Sequence, residues 1–582
     1  MADSSSSSSA AARPYFERGA KSLGLMAIPA HLCGCVQAYA LVSTMIKARF
    51  VNQNDVQAVA VAGLVGGYLE FPAGLFFDRF GMRSTLVVAG FIGLFGWSMV
   101  YWAIRPGSTA SLGFICIVYG IAVQLSAWVD IASVIGVTKR FRKNQSQVAG
   151  IVKSMEGLGP CVFSVIHLSF FDNSADAYPL FIGIYAFLMA CTTAYLIPPS
   201  SQDTILNTAA IPARQRRGYY VMVCVALLFT LIVSSVGAYD EKKGGSVYIW
   251  PALVLFFILL GFVCVPWIFT ANRASCLDDR RPVKGKTSDV DEEDKDREDE
   301  IDGDDDDDDD ADDEADDEVA LLGDKSRQKV WMRERTVMEK SMKEMRLSEC
   351  FVSVNYWLLF ACFAVSTGSA LMLCNNIAQL DKSLRSIQLH HGEVSGKEAI
   401  FLALFSIGST IARLSAGSYV RLLKERFFHS NETPAAMVYS TGPFLLVLAL
   451  TVNSFCFFSL SMVNWYGTVA ITLFVGFCYG CSIVLMVVTT NDLFGKKHMG
   501  SNVGFQYAGT MFVGIVLSQF IAAPIYERHA LEQANGGDFC TGKMCFSNTF
   551  VLTGLILALG IFCGMALLAR VRLSIEKSSY AD

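Results

Sequence analysis

The chain has 582 residues, 53% of them hydrophobic, with a mean hydropathy of +0.42 and a formal net charge of −6. That apolar fraction excludes an ordinary soluble domain, and its arrival in repeated runs of about 20 residues marks a helical protein that crosses a membrane many times. The charge conceals two opposites: residues 289–318 hold 23 acidic and 2 basic residues, and the remainder holds 45 basic against 30 acidic.

In chain order, residues 1–21 form a Ser-rich N-tail, with Ser4 to Ser9 in a row, expected to be disordered. The first apolar run begins after Lys21 and is too long for a cleaved signal, so it reads as a retained span. Residues 22–198 hold six candidate spans, near 23–46, 56–77, 85–104, 111–137, 148–170 and 178–197. Residues 199–271 add two, near 218–238 and 247–270. Residues 272–347 form an acidic linker that lacks the apolar surface to fold and reads as a disordered cytosolic spacer. Residues 348–571 hold six more spans, near 356–379, 398–420, 436–461, 466–489, 500–525 and 547–570, and 572–582 form a short tail. The fold class is therefore all-α integral membrane: two six-helix bundles plus two extra spans, about 14 transmembrane helices.

The loops set the orientation. Basic residues recur in alternate connections, at Arg79/Arg83, Lys139/Arg140/Arg142/Lys143, Arg214/Arg216/Arg217, Arg421/Lys424/Arg426 and Lys496/Lys497. The positive-inside rule then places both termini and the linker in the cytosol, where the sequons at Asn144 and Asn431 escape glycosylation. Between the second and third spans, Gly74 permits a close helix approach and Asp78 suits the exposed N–H groups of a neighbouring helix start. Gly81 supplies a turn, and Arg79 and Arg83 hold the loop cytosolic. Ala73-Gly74 lines up with Ala416-Gly417 in the second group of six, and Phe141-Arg142-Lys143-Asn144 with Phe494-Gly495-Lys496-Lys497. The two groups read as parallel repeats. On that reading Asp78 finds its partner near Gly500 and Ser501, across the bundle interface.

Polar groups inside spans are functional candidates because hydrocarbon penalises them. Lys153, Arg413, Asn375, Asn376, Gln379, Gln506 and Trp128 are the candidate solute-binding residues, and Glu70, Asp130 and Glu156 the candidate proton carriers. Bland readings stand beside each. Lys153 and Glu156, three apart, pair with one another; Asp130 pairs toward Lys139; Asn375 and Asn376 open their helix, bind a ligand or line a polar seam; His31 finds a local partner. Gly157-Leu158-Gly159-Pro160 is expected to kink or loosen the fifth span. Cys540 and Cys545 share a polar loop and form a disulfide if it faces an oxidising space. Asp317, Leu321 and Leu322 have the spacing of an acidic dileucine motif for a sorting adaptor. No P-loop, enzyme signature, metal site, cofactor motif or nucleic-acid-binding feature is found.

Gly74, Asp78, Arg79, Gly81 and Arg83 resemble the signature loop of the major facilitator superfamily. Within it the chain resembles the nodulin-like branch, related to monocarboxylate-type porters. The stretches that carry the likeness are Val65-Gly66-Gly67-Tyr68, Pro72-Ala73-Gly74, Ala127-Trp128-Val129-Asp130, Gly150 to Lys153, Thr367-Gly368-Ser369, Asn375 to Gln379, Arg413 to Gly417 and Leu493 to Gly500. Two residues depart from the pattern: the family more often has Asn where Asp130 stands, and a small or apolar residue where Glu70 stands. The resemblance implies the major facilitator fold and a secondary transporter that works by alternating access, and leaves the substrate open; Lys153, Arg413, Asn375, Asn376 and Gln379 suit a small polar or anionic solute, and Glu70 or Asp130 a coupling proton. The expected membrane is the plasma or the vacuolar/lysosomal membrane. The competing reading is a non-transporting sensor that signals through the acidic linker.

Overall fold

The structure is a computed structural model that describes residues 23–35, 46, 53–105, 107–141, 144–171, 177–197, 213–240, 250–268, 344–385, 398–429, 442–533 and 540–580. The Ser-rich tail, the acidic run with its dileucine motif, Arg142, Lys143 and Asn431 lie outside the described residues.

The first half comprises α1 (Leu23–Cys35), α2 (Gln53–Tyr68), α3 (Phe71–Ile104), α4 (Leu112–Arg140), α5 (Gln145–Phe170) and α6 (Tyr178–Leu196). Two further helices follow, α7 (Ala213–Asp240) and α8 (Trp250–Ile268). After the short α9 (Leu347–Cys350), the second half comprises α10 (Val354–Arg385), α11 (Glu398–His429), α12 (Gly442–Leu460), α13 (Trp465–Phe494), α14 (Met499–Gln533) and α15 (Met544–Tyr580).

Among the described residues, 10 helices are long and apolar enough to cross a membrane; Ala58–Ile104 counts as one and contains two of the spans read from sequence. α1 and the Trp250–Val265 part of α8 are shorter apolar helices. Phe95, Ile117, Phe455 and Phe562 are 61% to 73% exposed on the outer surface, which only a lipid surround makes favourable.

Two breaks matter for the centre. α2 stops at Tyr68 and α3 starts at Phe71, because Pro72 lacks the N–H that would bond the Tyr68 carbonyl and restricts the residue before it. Gln124 of α4 donates from Nε2 to the Leu69 carbonyl (3.2 Å), so this polar group freed within the apolar layer is satisfied. Glu70 therefore lies at a helix break, where the sequence reading put it inside a span. The second break is the turn at Gly81, with φ +75°, where open space surrounds the missing side chain and conformation is the whole reason for glycine.

α4 and α14 each contain a stretch of π-helix, Ile131–Ile135 and Val516–Ala522. α5 runs as one helix through Pro160. Its glycines serve close packing: a side chain on Gly159 would meet the His31 carbonyl and Gly34 of α1, and one on Gly157 would meet Thr410 of α11 at 2.6 Å. α10 is likewise continuous, so the paired amides at Asn375 and Asn376 do not open it.

Candidate functional site

The two halves meet along two seams built to one spacing. In the first, α3 lies on the start of α14. A Cβ at Gly74 would collide with the Gly500 carbonyl, and one at Gly504 would come within 2.8 Å of the Glu70 carbonyl. In the second, α11 lies on the start of α5. A Cβ at Gly417 would collide with the Ser146 carbonyl, and one at Gly150 would come within 2.5 Å of the Arg413 carbonyl. Each helix contributes two contact positions four residues apart, one helical turn, with small residues admitting the backbones.

At the end of the first seam Asp78 caps α14. Its Oδ1 accepts from the Gly500 N–H (3.2 Å), and its Oδ2 accepts from the N–H (2.8 Å) and hydroxyl (2.9 Å) of Ser501. A carboxylate there complements the unsatisfied donors and positive end of the helix dipole. Lys139 donates to Asp78 Oδ1 (3.1 Å) and to the Lys497 carbonyl (3.2 Å). Lys139 thus pairs with Asp78, and the Asp130–Lys139 reading is corrected. Arg83 donates from Nε to the Ile197 carbonyl (2.8 Å), and Arg79 lies over the Phe80 ring (5.4 Å).

A strap from the end of the linker reaches the same helix start. The Glu344 carboxylate accepts from the Lys497 N–H (2.7 Å), the Met345 N–H donates to the Phe494 carbonyl (3.0 Å), and Asn502 donates from Nδ2 to the Met345 carbonyl (3.1 Å). It fits against Gly495, which has φ +83° and takes no side chain without striking Glu344.

The second seam carries buried charge. Lys153, fully buried, donates from Nζ to Asp130 Oδ2 (2.6 Å) and faces Glu156 Oε2 at 2.9 Å. Arg413, also fully buried, crosses from the other half: its Nη1 donates to the Lys153 carbonyl (2.6 Å) and lies 3.3 Å from Glu156 Oε2. Cations buried this deeply persist only where carboxylates compensate the lost hydration. Tyrosines close round them, with Lys153 5.0 Å from the Tyr507 ring, Arg413 5.6 Å from the Tyr479 ring, and the hydroxyls of Tyr68 and Tyr479 bonded across the halves at 3.1 Å. α7 and α8 lean on this side, where Tyr220 bonds Ser418 of α11 (2.6 Å).

The structure thus gathers Lys153, Arg413, Asp130 and Glu156 into one cluster. Glu70 is buried within electrostatic reach of Lys153, Asp130 and Glu156. The other expected binding residues lie apart from its ion pairs. Trp128 donates to Gln124 (3.1 Å) and packs on Phe76, so it supports the α2–α3 break. Asn375 donates to Ser518 of α14 (3.4 Å) and Asn376 to the Met372 carbonyl (2.9 Å). Gln379 lies further along α10, and Gln506 is fully buried on α14 beside Tyr356. His31 bonds the Ile28 carbonyl and the Tyr185 hydroxyl. Cys540 and Cys545 are joined in a disulfide with Cα atoms 5.9 Å apart. No cluster of metal-ligating side chains occurs among the described residues. Sequence reasoning gave no role to Tyr68 and Gln124 and missed Tyr479 and Tyr507. Polar tips inside apolar runs were the available signal.

Comparison with known proteins gives two matching family models, one on each half: Nodulin-like over residues 25–267 and the NFD4 C-terminal domain over residues 340–576. The search of curated proteins finds no match. Among solved structures, the chain is similar to the E. coli fucose:proton symporter FucP (12% identity, 95% of this chain and 98% of that chain, TM-score 0.39). It is also similar to the proton:xylose symporter XylE bound to 6-bromo-6-deoxy-D-glucose (10% identity, 94% and 95%, TM-score 0.47). A double-tryptophan variant of XylE gives 10% identity, 96% coverage of both chains and a TM-score of 0.49. With the Nodulin-like model on the first half and the NFD4 C-terminal model on the second half of an all-helical, many-span chain, the protein belongs to the nodulin-like family.

Proposed function

We propose that the protein moves a small polar solute across a membrane by alternating access, coupled to protons, with fourteen spans and both termini in the cytosol. The observation that carries this reading is the pair of matched seams: each half lays a small-residue helix on the start of a helix from the other, an arrangement suited to rocking. Gly74, Asp78, Arg79, Gly81 and Arg83 form the conformational latch at the cytosolic end. A pure sensor has no need of two matched seams.

The cluster qualifies the solute. Lys153 and Arg413 are already faced by carboxylates, so an anion would have to displace one of them. We therefore read Arg413 and Glu156 first as the tie between the halves. Asn375, Asn376, Gln379 and Gln506 supply hydrogen bonds for a polar solute once the seams part, and Trp128 supports the site from behind the helix break. Glu70, Asp130 and Glu156 are the carboxylates available to carry a proton.

Asp78→Ala tests the latch. It removes charge-assisted bonds worth about 1.5–3 kcal/mol each, so the variant should shift toward the form open at that end by at least about tenfold. Accessibility of labels on the two membrane faces reads the shift; unaltered accessibility rejects the latch. A thermal-shift screen of sugars, amino acids and carboxylates on purified protein narrows the solute, because a ligand of the folded state raises its stability.

A further inference from the structure

Glu70 is the central carboxylate without a counter-ion among the described residues. Asp130 and Glu156 both face Lys153, and Glu156 also faces Arg413. Glu70 is 3% exposed and its Oε2 has no hydrogen-bond partner. The groups that act on it electrostatically are Asp130 of α4, Lys153 and Glu156 of α5 and Tyr507 of α14. Tyr68 of α2 is committed to Tyr479 of α13, Arg413 of α11 to Glu156, and His31 of α1 to Tyr185.

Two cations against three carboxylates leave the closed centre with one excess negative charge when Glu70 is ionised, and with none when it holds a proton. An uncompensated charge in a closed, apolar centre is expensive; a neutral carboxyl is much less so. Position supplies the second argument. Glu70 occupies the break between α2 and α3, and its carbonyl lies against Gly504 on the α3–α14 seam. That seam is sealed by Asp78, and on the transporter reading above it must part.

We propose that Glu70 is the protonation site that couples the α3–α14 seam to pH: the seam closes over a neutral Glu70 and opens when Glu70 ionises. On ionisation the proton passes to water on the side to which the seam opens. Because the closed form binds the proton more tightly, acid favours closure and alkali favours opening. A single linked proton changes the closed-to-open ratio by up to about tenfold per pH unit.

The test needs no solute. Bioorthogonal spin labels replace the exposed Phe80 on α3 and Val352 before α10, and their separation is measured in the full chain in nanodiscs from about pH 5 to about pH 9, spanning the range in which carboxyl groups of buried sites titrate. The expected result is a closed population that falls by up to about tenfold per unit through the transition. Glu70→Gln should stay closed throughout, and Glu70→Asp should restore the response. A response that survives in Glu70→Gln, or disappears in Asp130→Asn while surviving there, overturns the inference. A distance that Asp78→Ala lengthens while pH leaves it fixed also overturns it and keeps the transporter reading. A distance that neither changes overturns both.

Discussion

The α3–α14 and α5–α11 seams share a geometry and differ in chemistry. Gly74 stands to Gly500 as Gly417 stands to Ser146, and the Glu70 carbonyl stands to Gly504 as the Arg413 carbonyl stands to Gly150. The first seam is tied at its end by a carboxylate on peptide N–H groups and holds an unpaired acid. The second is tied in its middle by Arg413 and Glu156 and flanked by the extra helices α7 and α8. Close approach of backbones needs only small residues at the right spacing, so it survives divergence of the groups that tie it. The seam with its bonds at the end is suited to release, and the seam with buried ions to holding.

The largest effect is expected at the ionic tie. Arg413→Met leaves Glu156 with one cation instead of two and should cost about 3–5 kcal/mol, read as loss of thermal stability of the purified protein. Adding Glu156→Gln should recover part of it. A single variant as stable as the parent would show that the second seam is not held by charge. Next come the glycines: Gly417→Val and Gly74→Val each force a side chain into a backbone carbonyl and should cost about 1–3 kcal/mol or more. Unequal costs would break the likeness between the seams. The smallest effect belongs to the strap, where Glu344→Gln should cost about 1 kcal/mol. Hydrogen exchange should then quicken in the first turn of α14 and not in that of α5.

Much of this was legible in the chain. Apolar runs gave the helical, many-span architecture, and Ala73-Gly74 with Ala416-Gly417 marked matching contact points in the two halves. Asp78 was matched to Gly500 and Ser501 because a carboxylate between spans needs donors, and a helix start has them. Other features depend on three-dimensional packing that spacing does not encode. Nothing in the sequence says that Lys153 reaches back to Asp130 as well as forward to Glu156, since the first contact joins different helices. Proline alone does not say where a helix ends: the chain breaks before Pro72, where Gln124 satisfies a freed carbonyl, and stays helical through Pro160. Trp128 and Asn375 read as polar residues in spans, and in each case a neighbouring helix takes up the polar atom or the ring.

The strap has a mechanical consequence. Glu344 and Met345 fasten the chain to the turn at Phe494–Lys497 before α10 begins. Tension arriving from upstream would therefore load three hydrogen bonds at the foot of α14 and be spent there before it reached α10. That foot is also where Asp78 grips. A force applied through the linker would be delivered to the helix start that Asp78 of the other half caps.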